Sequence, residues 1–215
     1  MKIRVSAFLM LLICVTAQAS AVKPPVTVAQ EASDTARQIS SSAVALKLSS
    51  PYASVRREAA EELARLAVAE HRRLVEGYWV QEKDARVRLA LAWALYRMGK
   101  NESLFALVRA LDEKKLAEQS VGYLKQLEAP DPLYVFLGHV NGNTQIRLLE
   151  ALAAVGDRAT LERIRPFTES TDPGIADAAK FAEREINIRL EETPKVEPKR
   201  PRKVGNEGET EPPSF

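Results

Sequence analysis

The chain has few of the residues from which most metal sites and catalytic sites are built. Its 215 residues include one cysteine, Cys14, and two histidines, His71 and His139. The histidines lie far apart, and neither has a cysteine or a carboxylate at ligand spacing, so the sequence predicts no metal site. Neither has a serine and an aspartate at a spacing that suggests a catalytic triad.

Glycine is also scarce, with nine residues in the chain, and none of them forms a phosphate-binding loop. Asn141-Gly142-Asn143 has the length of a turn between helices. Paired carboxylates such as Glu61-Glu62 and Asp112-Glu113 are typical of solvated helix faces. We therefore expect no catalytic residue and no cofactor, and we predict that the protein is not an enzyme.

Long apolar runs are absent except at the N-terminus, where Val5–Val15 is apolar for about eleven residues. This is too short for a transmembrane helix, which needs about 20 residues, so we expect no integral membrane span. Lys2 and Arg4 precede the run, and Ala17-Gln18-Ala19 follows it. This order indicates a signal peptide over residues 1–19 and an exported protein, periplasmic or extracellular.

Cys14 leaves one alternative open at the N-terminus. A lipoprotein signal also ends at a cysteine, usually after a small residue, but here the bulky Ile13 precedes it. Cleavage after Ala19 is therefore favoured, with a lipid anchor through Cys14 as the alternative. The predicted mature chain has no cysteine and depends on its core for stability.

The charges of the chain are nearly balanced. The formal net charge is +2, and the predicted signal peptide carries two positive residues, Lys2 and Arg4, so the remainder sums to zero. Nucleic-acid binding rests on many contacts between basic residues and phosphates. We therefore expect no nucleic-acid partner.

Composition divides the rest of the chain into three segments. Residues 20–35 are polar and contain Pro24-Pro25, which indicates a linker. Residues 191–215 contain five prolines and eleven charged residues, a composition that predicts disorder. Lys195–Lys203 holds five basic residues that could bind an acidic envelope surface, although a solvated tail is favoured. Residues 36–190 are predicted to be the folded domain.

An apolar pattern repeats within this domain every 28–32 residues. The first four copies have apolar or small residues at offsets 0, 4, 5, 8 and 11, which lie on one face of a helix, and a weaker fifth copy matches at offsets 4, 5 and 8. The copies begin at Val55, Val87, Leu116, Thr144 and Gly174. A repeat of this length is the signature of stacked structural units.

A second apolar stretch follows each of the first four copies, so each unit is predicted to be a helix pair. The second stretches are Leu74–Val80, Leu104–Leu111, Leu133–Val140 and Leu161–Phe167. Ala43–Leu48 resembles a second helix without its first. Gly99 and Gly156 are predicted to end first helices in the left-handed conformation. Since one pair leaves an apolar face bare, we expect the pairs to stack.

Two segments carry a family resemblance. Ser54–Ala60 and Asp84–Ala90 resemble the D-x-x-V-R-x-x-A-A signature of HEAT repeats, in particular the short repeats of phycocyanobilin lyases. The resemblance covers about Ala43 to Ile188. It implies an all-α, right-handed α-α superhelix of about five helical hairpins. Ala117 and Gln145 occupy positions where the family has arginine, which interrupts its ladder of Asp–Arg pairs.

Solenoids of this kind expose a long surface made by the second helices. We therefore expect a protein partner and a scaffold or adaptor function in the bacterial cell envelope. The candidate partner-binding residues, chosen by helical spacing, are Arg73, Glu76, Arg109, Tyr134 and Arg163. The alternative is an enzyme accessory or lyase-like protein acting on a protein substrate, against which the predicted export weighs.

The aromatic residues of the first half permit two interpretations, a core cluster or a binding groove. Trp93 and Tyr96 lie beside Leu91 and Leu95 at helical spacing, which favours the core. Trp79 lies near a helix end, and we expect it to be partly exposed.

Overall fold

A computed structural model describes residues 40–192 of the chain. The predicted signal peptide, the linker and the segment from residue 193 onwards lie outside the described residues. The described part contains α1 (residues 40–46), α2 (Ala53–Leu66), α3 (Arg72–Gln81), α4 (Ala85–Arg97), α5 (Leu104–Ala110), α6 (Ala117–Leu124), α7 (Asp131–Leu137), α8 (Gly142–Val155), α9 (Arg158–Ile164) and α10 (Pro173–Glu192). Short 3-10 turns join several of them, and residues 40–192 form no strand.

The helices form consecutive hairpins, and this confirms the predicted all-α solenoid. The complete pairs within residues 40–192 are α2–α3, α4–α5, α6–α7 and α8–α9, with α1 before them and α10 after them. The first helices stack in chain order: α2 packs on α4, α4 on α6, α6 on α8, and α8 on α10. The predicted domain ended at Leu190, and α10 continues to Glu192.

The core follows the repeat positions. The residue at offset eight of every copy is at most 1% exposed; these residues are Leu63, Leu95, Leu124, Leu152 and Ala182. Buried Ala60, Ala92 and Ala179 occupy offset five, where a small side chain lets the neighbouring helix approach closely. The periodicity of the sequence therefore places the first helices in the correct rotational phase.

The two glycines that follow first helices have different roles. Gly99 has φ +88°, the left-handed conformation that was predicted. For Gly156 the prediction was wrong, because its φ of −63° and ψ of 154° are extended. A Cβ atom at Gly156 would lie 2.6 Å from Ile186 Cδ1 and 2.6 Å from the Leu152 carbonyl oxygen. Glycine is needed here because α10 approaches the end of α8 closely.

Polar side chains join segments that are distant in sequence, both within a hairpin and between successive hairpins. Arg56 donates to both carboxylate oxygens of Glu82, with Nε–Oε2 at 2.8 Å and Nη2–Oε1 at 2.9 Å. Gln145, at a position where the family has arginine, is buried and donates to the Leu137 carbonyl at 3.2 Å. The amide thus caps the end of α7 instead of forming an ion pair.

No helix within residues 40–192 is both long and apolar enough to cross a lipid bilayer.

Candidate functional site

The second helices α3, α5, α7 and α9 present one row of exposed side chains, which we call the second-helix face. Large apolar residues of this row are exposed to solvent: Leu74 by 44%, Val80 by 74%, Phe105 by 64% and Val135 by 64%. Phe105 and Val135 lie on the side of their helices opposite buried residues, such as Leu107 on α5 and Leu133 on α7. Phe105 and Val135 line one cavity, and exposed apolar groups gathered in this way are typical of a binding surface.

Of the residues predicted to bind a partner, two lie on α3. Arg73 is exposed. Glu76 is half-buried, and its Oε1 accepts a hydrogen bond of 2.6 Å from Lys100 Nζ, which comes from the α4–α5 loop. This hydrogen bond lowers the pKa of the Glu76 carboxyl. Glu76 therefore already has an intramolecular partner, whereas Arg73 projects into solvent.

Tyr134 on α7 and Arg163 on α9 were predicted separately, and the structure brings them together. The Arg163 guanidinium lies 4.5 Å from the centre of the Tyr134 ring, a cation–π contact. The Tyr134 hydroxyl donates to Asp157 Oδ1 at 3.1 Å and lies 2.7 Å from Thr160 Oγ1. Burial raises the pKa of Tyr134, while the backbone N–H of Thr160 lowers the pKa of Asp157. These contacts hold α7 against α9, and the Arg163 guanidinium lies over the Tyr134 ring.

Arg109 on α5 lies in a groove between α3 and α5, which we call the arginine groove. The groove encloses a cavity of about 310 Å³. Its lining combines charged and aromatic side chains with an alanine-rich floor: Trp79, Ala85, Arg88, Leu89, Ala92, Ala106, Arg109, Ala110, Glu113 and Leu116. Within the described part of the chain, neither Arg88 nor Arg109 forms an ion pair or a side-chain hydrogen bond. Two guanidinium groups therefore face solvent beside an indole ring.

A second groove, the phenylalanine groove, lies between α5 and α7. Phe105 and Phe136 meet there edge to face, with ring centres 5.1 Å apart. A cavity of about 270 Å³ on one side of this pair is almost wholly apolar, and it is lined by Tyr96, Asn101, Leu104, Phe105, Pro132, Val135 and Phe136. A further cavity on the same two rings also includes Arg109, Asp112 and His139. Arg109 thus lies between the two grooves and joins them.

Sequence reasoning found some of these groove residues and missed others. Trp79 is half-buried, as expected, and Arg109 was among the predicted residues. Arg88 occupies a repeat position but was not predicted as a groove residue, because its convergence with Arg109 depends on how α4 and α5 fold back on each other. Phe105 and Val135 lie in apolar stretches that also contain core residues, and periodicity over a seven-residue helix separates the two faces poorly.

The aromatic cluster of the first helices is part of the core. Trp93 is 3% exposed and stacks on Tyr96 and Tyr123, with ring centres 5.8 and 5.7 Å apart. The Tyr123 hydroxyl donates to Glu61 Oε1 at 2.6 Å, and burial raises its pKa. This confirms the core interpretation for Trp93, and the cluster connects α2, α4 and α6.

The polar contacts of the histidines serve packing within residues 40–192. His71 Nε2 lies 2.8 Å from Ser41 Oγ, but Ser41 has no solvent exposure, so a substrate carbonyl has no access to its oxygen. His139 Nδ1 is hydrogen-bonded to the Val135 carbonyl oxygen, at a distance of 2.7 Å. In the same residues no group of three or more histidine, cysteine or carboxylate side chains is arranged to hold a metal ion.

The family model described as HEAT repeats matches residues 42–121, from α1 into α6. No curated protein matches the chain. HEAT repeats generally mediate protein–protein interaction. Residues 42–121 are therefore similar to HEAT repeats, and they lie within an all-helical solenoid whose later hairpins continue the same stacking.

Proposed function

We propose that this protein is a non-catalytic scaffold of the bacterial cell envelope, which binds a protein partner on its second-helix face. The observation that carries the proposal is the pair of grooves on either side of α5. Together with the cavity that Phe105 and Arg109 both line, they place exposed phenylalanine, valine and arginine side chains beside one another. Aromatic and arginine side chains are the residues that most often dominate the binding energy of protein interfaces.

The shape of this surface favours a protein ligand over a small substrate. The grooves are open and run between short helices, and they do not bury a ligand on most sides as small-molecule sites do. The row from α3 to α9 also offers several binding elements in line, which matches the extended surface of a protein partner. Location in the envelope rests on the signal-like pattern of Lys2 to Ala19.

Site-specific photo-crosslinking in intact cells tests the proposal. A photoreactive phenylalanine analogue is placed at Phe105 on α5, and in a separate variant at Phe181 on α10. Phe181 is the matched control, because it is also an exposed phenylalanine but lies on a first helix. Its side chain is 42% exposed, and that of Phe105 is 64% exposed. We expect Phe105 to crosslink to a discrete partner protein in the envelope fraction.

The outcome at Phe181 decides what the crosslink means. Crosslinking at Phe105 with little or none at Phe181 supports a specific second-helix interface. Equal crosslinking at both positions, or none at Phe105, would contradict the proposed function. Recovery of the protein in the cytoplasmic fraction would contradict the envelope part alone.

A further inference from the structure

We infer that the arginine groove and the phenylalanine groove together recognise an extended segment of the partner that carries a carboxylate side chain next to a bulky apolar one. This inference rests on the proposed function and adds the chemistry of the ligand. It concerns the surface on both sides of α5, where Arg109 joins the two grooves.

The first step is the charge of the arginine groove. Arg88 and Arg109 line it, and in residues 40–192 neither has a partner that neutralises it, in contrast to Arg56, which Glu82 neutralises. Glu113 is the one carboxylate in the lining, so the groove keeps a net positive charge. Guanidinium groups bind carboxylates in a planar, two-pronged geometry. An acidic side chain of the partner therefore complements this groove.

The second step is the floor of the arginine groove. Ala85, Ala92, Ala106 and Ala110 line it, so no long side chain fills the space between the two arginines and the Trp79 ring. A backbone in extended conformation can approach such a floor closely. The indole of Trp79 offers a flat apolar surface and an N–H donor beside it.

The third step is the adjacent apolar groove. Phe105 is 64% exposed although it contacts Phe136, and Val135 beside it is also 64% exposed. The cavity next to these residues, about 270 Å³, is of the size of one large side chain. Because Arg109 lines the arginine groove and also a cavity that contains Phe105, one short segment can occupy both grooves.

Selection from a random peptide library tests the inference. Phage displaying random peptides of roughly ten residues, about 33 Å when extended, are selected on the immobilised full chain. Each round includes a depletion step on the Arg88→Glu, Arg109→Glu double variant. We expect the recovered peptides to be enriched in Asp or Glu next to Phe, Leu, Ile or Trp. Failure to recover any peptide above background would overturn the inference, as would peptides without acidic enrichment.

Binding of a selected peptide, measured by fluorescence anisotropy, separates a groove contact from a change in folding. Arg88→Ala and Arg109→Ala should each weaken binding about threefold to fivefold, the range of one exposed charge pair. Glu113→Gln should strengthen binding, because it removes the one negative charge of the lining. Arg86→Ala is the matched control, since Arg86 is exposed on the same helix as Arg88 but does not line the groove. Equal affinity in the Arg88, Arg109 and Arg86 variants would overturn the inference.

Two other occupants would give different results, and either would overturn the inference. If the acidic segment Glu207–Glu211 of the same chain filled the groove, peptides would bind only after its three glutamates are changed to glutamine. If a second copy filled it, sedimentation would show a dimer that Arg109→Glu dissociates. A crosslink at Phe105 to a partner that lacks an acidic-apolar segment would refute this inference and leave the proposed function standing.

Discussion

Leu95 lies in the last turn of α4, the helix that packs against both α2 and α6. It is 1% exposed. Leu95→Ala removes buried methyl groups and leaves a cavity, so it should lower the free energy of unfolding by about 2–5 kcal/mol. Chemical denaturation measures the change. Leu46→Ala is the control, because Leu46 is 77% exposed, and a loss below about 0.5 kcal/mol at Leu95 would contradict the described phase of α4.

Glu82 makes the stability of the protein depend on pH. Its carboxylate accepts hydrogen bonds from Arg56 and from the backbone N–H groups of Lys83 and Asp84, and its side chain is 7% exposed. The Arg56 hydrogen bond is the largest cause that lowers its pKa below the ordinary value of 4.5. A carboxyl whose pKa is lower in the folded protein stabilises it above the ordinary value. That stabilisation is lost as the pH falls through the folded pKa.

Glu82→Gln should therefore lower the free energy of unfolding at neutral pH and reduce the further loss below pH 4.5. Denaturation curves across this range measure both effects, and the curves of variant and wild type should converge in acid. Glu58→Gln is the control, because Glu58 is exposed and forms no ion pair among residues 40–192. Parallel curves for Glu82→Gln and wild type would show that the carboxylate does not contribute in this way.

Individual residues differ in how far the sequence could predict them. Leu95 was predictable because its burial follows from its offset within a repeat. Glu82 was not, because its partner Arg56 lies 26 residues earlier and the contact exists only after α2 and α3 have folded against each other. Arg88 was missed as a groove residue for the same reason. Local periodicity determines whether a residue is buried, whereas contacts between charged side chains on different helices depend on the tertiary structure.

At the scale of elements, α10 packs closely against the C-terminal end of α8. Arg189 on α10 donates to the Ala153 carbonyl at 2.9 Å and also to the Gly156 carbonyl, so it caps the C-terminal end of α8. Ile186 packs where a side chain on Gly156 would otherwise lie. The absence of a side chain at one position thus sets the separation of two helices.

Gly156→Ala should separate these helices and lower the free energy of unfolding by about 1–3 kcal/mol, the usual cost of overpacking. The Leu152 carbonyl oxygen, 2.6 Å from the added Cβ, belongs to the backbone and cannot rotate away. Gly122→Ala on α6 is the matched control, because nothing lies within 4 Å of the added Cβ there. Alanine should instead stabilise that helix by about 0.4–1 kcal/mol. Thermal melts of both variants measure the effects, and equal shifts in the same direction would contradict this account of α8 and α10.

The elements themselves were largely predictable, and their surfaces were not. The repeated apolar offsets located the first helices, and the stretches between them located the second helices. The long first helices carry enough turns to fix a buried face. The second helices α5, α7 and α9 have seven residues each, so Phe105 and Val135 could not be assigned to solvent from their spacing.

At the scale of the whole molecule, the predicted cleavage on export determines which part of the chain is available to bind a partner. Lys2, the apolar run to Val15 and the small residues Ala17 and Ala19 predict cleavage before Ser20. N-terminal sequencing of the protein recovered from the envelope fraction should therefore begin at Ser20. An acylated Cys14 would establish the lipid-anchored alternative, and an intact Met1 would contradict export by cleavage.

The central claim is that α5 and its neighbouring second helices recognise the partner, rather than the first helices or the segment after Glu192. That segment has few apolar residues, Val196, Val204 and Phe215, so truncation after Glu192 should leave the melting temperature almost unchanged. The Phe105→Asp, Arg109→Glu double variant changes the exposed face of α5. The Phe181→Asp, Arg184→Glu double variant makes the same change on α10, where both residues are exposed.

The most direct measurement is a pull-down in which each of these chains is used to capture the partner identified through the Phe105 crosslink. A thermal melt of each chain is the folding control. The account predicts that the truncated chain and the α10 variant retain the partner. It predicts that the α5 variant loses the partner while its melting temperature stays near that of the wild type. The account would be contradicted if the α5 variant still captured the partner while the truncated chain lost it. It would also be contradicted if only the α10 variant lost the partner.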